Sequence, residues 1–221
     1  MDTREGEASE APEAQKRRPR HFTLLRSFVL ADFVTLANAA SGMGAILLCL
    51  SYGESREPST MWAALGLFPL ALLFDVLDGS VARWRRRSSA FGADLDSLAD
   101  VVSFGVAPAV LAYTLGMRGG WDAVVLVYFV SCGISRLARY NVTAAALTTE
   151  KGKVSHYEGT PIPTSLILVA VLAFAFAKGA VHESLWLGEV RIGPFGLHPL
   201  VLMYALSGSA MISATLRIPK P

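Results

Sequence analysis

Four aspartates carry the clearest chemical signal in this 221-residue sequence. Asp75 and Asp78 lie in LLFDVLDGSVARWRRR, Asp96 and Asp100 in FGADLDSLADVVSFGVAP, and both stretches are otherwise rich in apolar residues. An aspartate costs about 2.5–3.5 kcal/mol near the centre of a membrane helix, so four would cost on the order of 10 kcal/mol. On a helix the first pair is separated by about 60° and the second by about 40°, so each pair shares one face. Two adjacent antiparallel helices would bring the pairs together. Carboxylates meeting at one point cannot all stay ionised unless a cation lies among them. Oxygen-only ligation suits magnesium, manganese or calcium rather than zinc. The alternatives are protonated acids, or acids paired with Arg83. Asp94 lies roughly 200° from Asp96 and is left out of the set. Asp78 and Asp75 stand roughly 10 and 15 Å along the axis from Arg85, which recesses the cluster beneath a charged surface.

The elements that must position these acids follow from composition. The chain is 52% apolar and 17% charged, with a mean hydropathy of +0.43, whereas a soluble domain is about 25% charged. Six spans of roughly 20 residues would use about 120 positions. Apolar runs at 33–52, 61–82, 93–116, 121–141, 161–180 and 197–215 supply them. The expected fold is therefore all-α: a polytopic membrane protein with six transmembrane helices and a short interfacial helix over 22–31. Residues 1–20, acidic and then basic with little to bury, read as a disordered cytoplasmic tail. Residues 21–221 form the membrane domain, and no cleavable signal peptide is expected. Of the 20 Lys and Arg, six spans place Arg56, Arg118, Lys178 and Arg191 on one side and the other sixteen with the termini. By the positive-inside rule both termini, and the acidic site, face the cytoplasm at the cell membrane. A net charge of +2 argues against a nucleic-acid partner. Cys49 and Cys132 lie in apolar runs and read as packing residues.

The spacing of the acids is also that of a family. Asp75, Asp78, Gly79, Ala82, Arg83, Gly92, Asp96 and Asp100 match DxxDGxxAR, eight residues, then GxxxDxxxD. This resembles the CDP-alcohol phosphatidyltransferases. The resemblance implies a six-helix membrane enzyme, usually homodimeric, that moves a phosphatidyl group from a CDP-linked lipid to an alcohol and releases CMP. Such chemistry is served by clustered cations that neutralise a departing phosphate. A magnesium or manganese site, with two ions, is the expected cofactor. Asp75, Asp78, Asp96 and Asp100 are then metal ligands, and Asp100 also resembles the general base for the acceptor hydroxyl. Gly79 would let a nucleotide approach the helix, or would serve helix packing. Ala82 is similar, and Arg83 would bond diphosphate oxygens or anchor the helix end.

Residues outside the motif bear on the acceptor. DSLADVVSFGVAPA, SRLARYN at 135–141, EGTPIPT at 158–164 and MISATLRIPKP resemble the members that act on serine, over roughly residues 30–220. Val101 stands where relatives using glycerol phosphate commonly carry Lys. Thr160 departs from the Leu expected there. The expected substrates are CDP-diacylglycerol and L-serine, giving phosphatidylserine, with inositol phosphate, glycerol phosphate or an archaeal-type CDP-lipid as alternatives. A cation channel or transporter with midmembrane acids is the alternative of another class. Arg136 and Arg139, one turn apart, would grip a lipid phosphate or the acceptor carboxylate, or anchor the helix at the interface. Thr35, Asn38 and Ser41 form a polar stripe on the first span that would bind the CDP-lipid or join helices. Pro161 and Pro163 suit a helix start, and the tryptophans fall near expected interfaces.

Overall fold

A computed structural model describes residues 30–85, 90–149, 156–213 and 217–219; the tail and most of the expected interfacial helix lie outside them. The helices are α1 (Leu30–Ser55), α2 (Pro58–Arg85), α3 (Ala90–Asp100), α4 (Ala107–Leu115), α5 (Gly120–Thr149), α6 (Leu166–Ala177) and α7 (Leu202–Ile212). A π-helical segment, Val101–Val106, joins α3 to α4 without a break. Among the described residues, four stretches are long and apolar enough to cross a membrane: Asp32–Ser55, Pro58–Ser80, Phe91–Leu115 and Gly120–Thr143. The last two apolar helices, Ile162–Ala177 and Pro199–Ile212, are shorter than the expected spans. They reach about 24 and 21 Å along their axes, against a hydrocarbon thickness of about 30 Å.

The connections dictate the packing. After Ser55 the chain turns through Arg56, which adopts φ 56°, and restarts at Pro58, whose fixed φ suits a first helical position. So short a turn forces α1 and α2 antiparallel. At the end of α4 only glycine fits. Gly116 has φ 136°, and a Cβ there would meet the His182 backbone at 2.8 Å.

The third span is the centre of the molecule: 67% of its apolar 18-residue stretch is buried, against 28–33% for the corresponding stretches of the other three. Phe104 and Leu111 on it are fully covered. Tyr204 of α7, also fully buried, meets Phe129 of α5 edge-on at 5.1 Å and donates its hydroxyl to Pro108 O at 2.8 Å. Meanwhile Phe33, Leu47, Val76, Val127 and Leu206 are exposed. Apolar residues on the perimeter of a helical bundle are what a hydrocarbon solvent selects.

Helical content does not account for the whole chain. Among the described residues there are also two small antiparallel sheets that were not expected from the sequence. β1 (His156–Glu158) pairs with β4 (Arg217–Pro219) in the register His156↔Pro219, tying the α5–α6 connection to the chain end. β2 (Val190–Ile192) pairs with β3 (Phe195–Leu197) between α6 and α7.

Candidate active site

The acids sit where three helices meet. α2 brings Asp75 and Asp78 near its C-terminal end, α3 brings Asp96 and Asp100, and α1 packs against both. One carboxylate oxygen each from Asp75, Asp78 and Asp96 lies within 4.8 Å of the others. Asp78 is buried, while Asp75 and Asp96 are half-buried. Asp96 Oδ1 is enclosed and accepts no hydrogen bond. A carboxylate oxygen left unbonded in a buried setting is costly. Three oxygen donors converging there have the chemistry of a hard divalent-cation site, and the residues fit such an ion. Asp100 stands outside this trio, although its charge interacts with Asp75, Asp96 and Asp78. It is one turn deeper and accepts a hydrogen bond from Asn38 Nδ2 at 3.3 Å.

The polar stripe of α1 is present, and its donors face protein acceptors. Thr35 Oγ1 donates to Asp78 Oδ2 at 2.8 Å, and Ser41 Oγ donates to Ala37 O at 2.8 Å within its own helix. Gly79, one residue beyond Asp78, is exposed, and a Cβ built there would meet nothing within 4 Å. Open space, rather than a packed neighbour, therefore adjoins the acids at Gly79. Ala82 and Arg83 continue α2 by one turn, and their side chains lie outside the described residues. On α5, which packs against α3 and the π segment, Arg136 is half-buried and Arg139 exposed.

Three features lie outside the motif residues. Asn141 of α5 accepts from Ser97 Oγ at 3.2 Å and donates to Asp94 Oδ1 at 3.3 Å, pinning α5 to the helix that carries Asp96. Asp32 is 6% exposed in the first turn of α1; its acid at the start of an apolar run was the available signal. Asp122 is fully buried and takes three donors: Gly119 N, His198 N and His198 Nδ1 at 2.8, 2.8 and 2.6 Å. That pair lies at the far end of the third span from the acids and is structural.

Comparison with known proteins gives the arrangement a context. Residues 28–207 match the family model described as CDP-alcohol phosphatidyltransferase. The chain is 42% identical over 204 residues to a CDP-diacylglycerol–serine O-phosphatidyltransferase of Saccharomyces cerevisiae, covering 91% of this chain and 74% of that protein. A protein of the same name from Methanocaldococcus jannaschii is 35% identical over 67% of this chain and 62% of its own length. An archaetidylserine synthase of Methanothermobacter thermautotrophicus is 39% identical over 66% of this chain and 58% of its own.

Proposed function

Because the chain belongs to the CDP-alcohol phosphatidyltransferase family, we propose that it transfers the phosphatidyl group of CDP-diacylglycerol to the hydroxyl of L-serine, forming phosphatidylserine and CMP. The observation that carries this reading is the convergence of Asp75, Asp78 and Asp96 from two apolar helices, in a chain whose relatives are named for transfer to serine.

The roles follow from position. Asp75, Asp78 and Asp96 would hold a divalent cation, magnesium or manganese, and a second ion would draw on Asp100. Bound dications would neutralise the diphosphate and favour departure of CMP. Asp100, buried beside the trio, takes the serine hydroxyl proton as the oxygen attacks the lipid-bearing phosphorus. The bond from that phosphorus to the CMP oxygen breaks. The space beside Gly79 receives the CDP moiety near Ala82 and Arg83, with the lipid tails in the bilayer. Arg136 and Arg139 supply positive charge for the lipid phosphate or the serine carboxylate. The domain spans residues 21–221 and acts as a homodimer. The shorter α6 and α7 complete six crossings, and the termini and site face the cytoplasm.

An acceptor panel tests the assignment. Purified protein is given CDP-diacylglycerol with labelled serine, glycerol phosphate or inositol phosphate, and CMP is measured. Release with serine alone is the expected result; release only with another alcohol rejects serine. The archaetidylserine synthase relative favours including an ether-linked CDP-lipid as a second donor arm.

A further inference from the structure

We propose that Thr35 and Asn38 of α1 are positioning residues for the carboxylates, with Gly42 and Ser103 fixing the depth at which α1 seats. This rests on the transferase reading above and assigns α1 a task other than binding the nucleotide.

Hydrogen-bond inventory carries the inference. Thr35 Oγ1 donates to Asp78 Oδ2 at 2.8 Å. An amide offers its NH2 to an ionised carboxylate, and Asn38, which is fully buried, turns Nδ2 to Asp100 Oδ1 at 3.3 Å. One residue on α1 thus restrains an acid of α2, and the next residue one turn on restrains an acid of α3. A bond from a neutral donor to a carboxylate is stronger than one to a neutral acceptor. It also fixes a side chain that would otherwise rotate about χ1 and χ2. Groups that orient metal ligands in this way matter about 10–100-fold to metal affinity or activity.

The same helix is located by a second contact, independent of the acids. Ser103, in the π-helical segment just after Asp100, is fully buried and donates its hydroxyl to Asn38 O at 2.9 Å. Across from it, a Cβ on Gly42 would fall 2.5 Å from Ser103 Oγ and 2.6 Å from Ser103 Cα. A backbone atom cannot yield as a flexible side-chain tip can, so only glycine permits this approach. The π segment closes with Ala107 N–H bonded to Val102 O, five residues back, and such insertions recur at functional sites. Here the segment places Ser103 against the carbonyl of the residue that holds Asp100.

The test uses the full-length protein in detergent, with manganese as the probe and no substrate present. Manganese binding is read by electron paramagnetic resonance and calorimetry, then kcat and KM for CDP-diacylglycerol are measured with serine. Thr35→Val, nearly isosteric, is expected to weaken manganese binding about 10-fold or more, and Thr35→Ser to restore it to within about threefold. Asn38→Leu is expected to cut kcat at least tenfold with KM for the CDP-lipid within about twofold. Gly42→Ala is expected to lower both manganese affinity and kcat by prising α1 from the π segment. Unchanged manganese affinity in Thr35→Val, with a raised KM for the CDP-lipid, overturns the proposal in favour of direct nucleotide contact. A wild-type protein that binds no manganese also overturns it. Wild-type protein that binds manganese but ignores serine rejects the acceptor while leaving the α1 result to stand on the metal measurement.

Discussion

At the scale of single residues, the acids differ in what surrounds them, and their variants should therefore fail differently. Asp78 belongs to the trio and is fixed by Thr35, so Asp78→Asn removes a charge that would hold the proposed cation. Its expected effects are weaker metal-dependent CDP-lipid binding and turnover reduced by at least 100-fold. Asp100 stands outside the trio. Asp100→Asn is expected to abolish turnover and leave metal-dependent binding of CDP largely intact. Binding by calorimetry and turnover by CMP release separate the two; near-normal turnover in Asp100→Asn would remove the base assignment. Chelation of divalent ions is expected to stop turnover, and magnesium or manganese to restore it. Much of this set was legible in the sequence, because a helix converts spacings of three and four into a shared face. Partners across helices were not. Nothing in the spacing of Ser97 and Asn141, or of Thr35 and Asp78, encodes the register in which their helices meet.

Elements show a sharper division between what pattern reveals and what packing decides. The four long spans were readable from hydropathy alone, since each is a sustained apolar run bounded by charge, Gly or Pro. The π-helical turn at Val101–Val106 was not, because its VVSFGV sequence is as apolar as an α-helix and the turn is defined by its hydrogen bonding, in a segment seated against α1. The three-residue strands HYE and RIP were equally invisible: too short for alternation, they are defined by pairing with each other. The Asp122–His198 contact belongs to this scale because it joins elements. Asp122, third residue of α5, reaches back to the Gly119 N–H as an N-terminal cap does, and also bonds the backbone and ring of His198 just before the turn leading into α7. Asp122→Ala would leave three donors without an acceptor, two of them on buried His198. The expected cost is about 3 kcal/mol, read as a lowered unfolding midpoint in detergent, with unchanged activity per folded molecule because the pair is remote from the acids. Loss of activity without loss of stability would show that this end of the bundle communicates with the site.

For the whole molecule, the open physical question is how twelve residues of α6 relate to a bilayer. LILVAVLAFAFA carries no polar side chain, and buried Leu168 and Leu172 alternate with exposed Ile167 and Phe174, so one face meets the bundle and the other suits lipid. With its preceding turn it reaches about 24 Å, short of the hydrocarbon by about 6 Å. A mismatch of that size costs fractions of a kcal/mol per ångström and is met by local thinning or by flanking polar groups reaching for the interface. Burying the apolar helix at about 0.8 kcal/mol per CH2 outweighs that cost many times over. The helix should therefore cross, and its crossing fixes the orientation of everything after it. Lys153 precedes α6 and Arg191 follows it in β2, so the two positions should lie on opposite sides of the membrane. The native cysteines are 0% and 4% exposed and should contribute little background. In intact cells a membrane-impermeant maleimide is expected to label Arg191→Cys, and to label Lys153→Cys only after permeabilisation. Labelling of both from one side would make α6 a helix that dips and returns. It would also place the two ends of the chain on opposite faces and undo the charge asymmetry on which a cytoplasmic site rests.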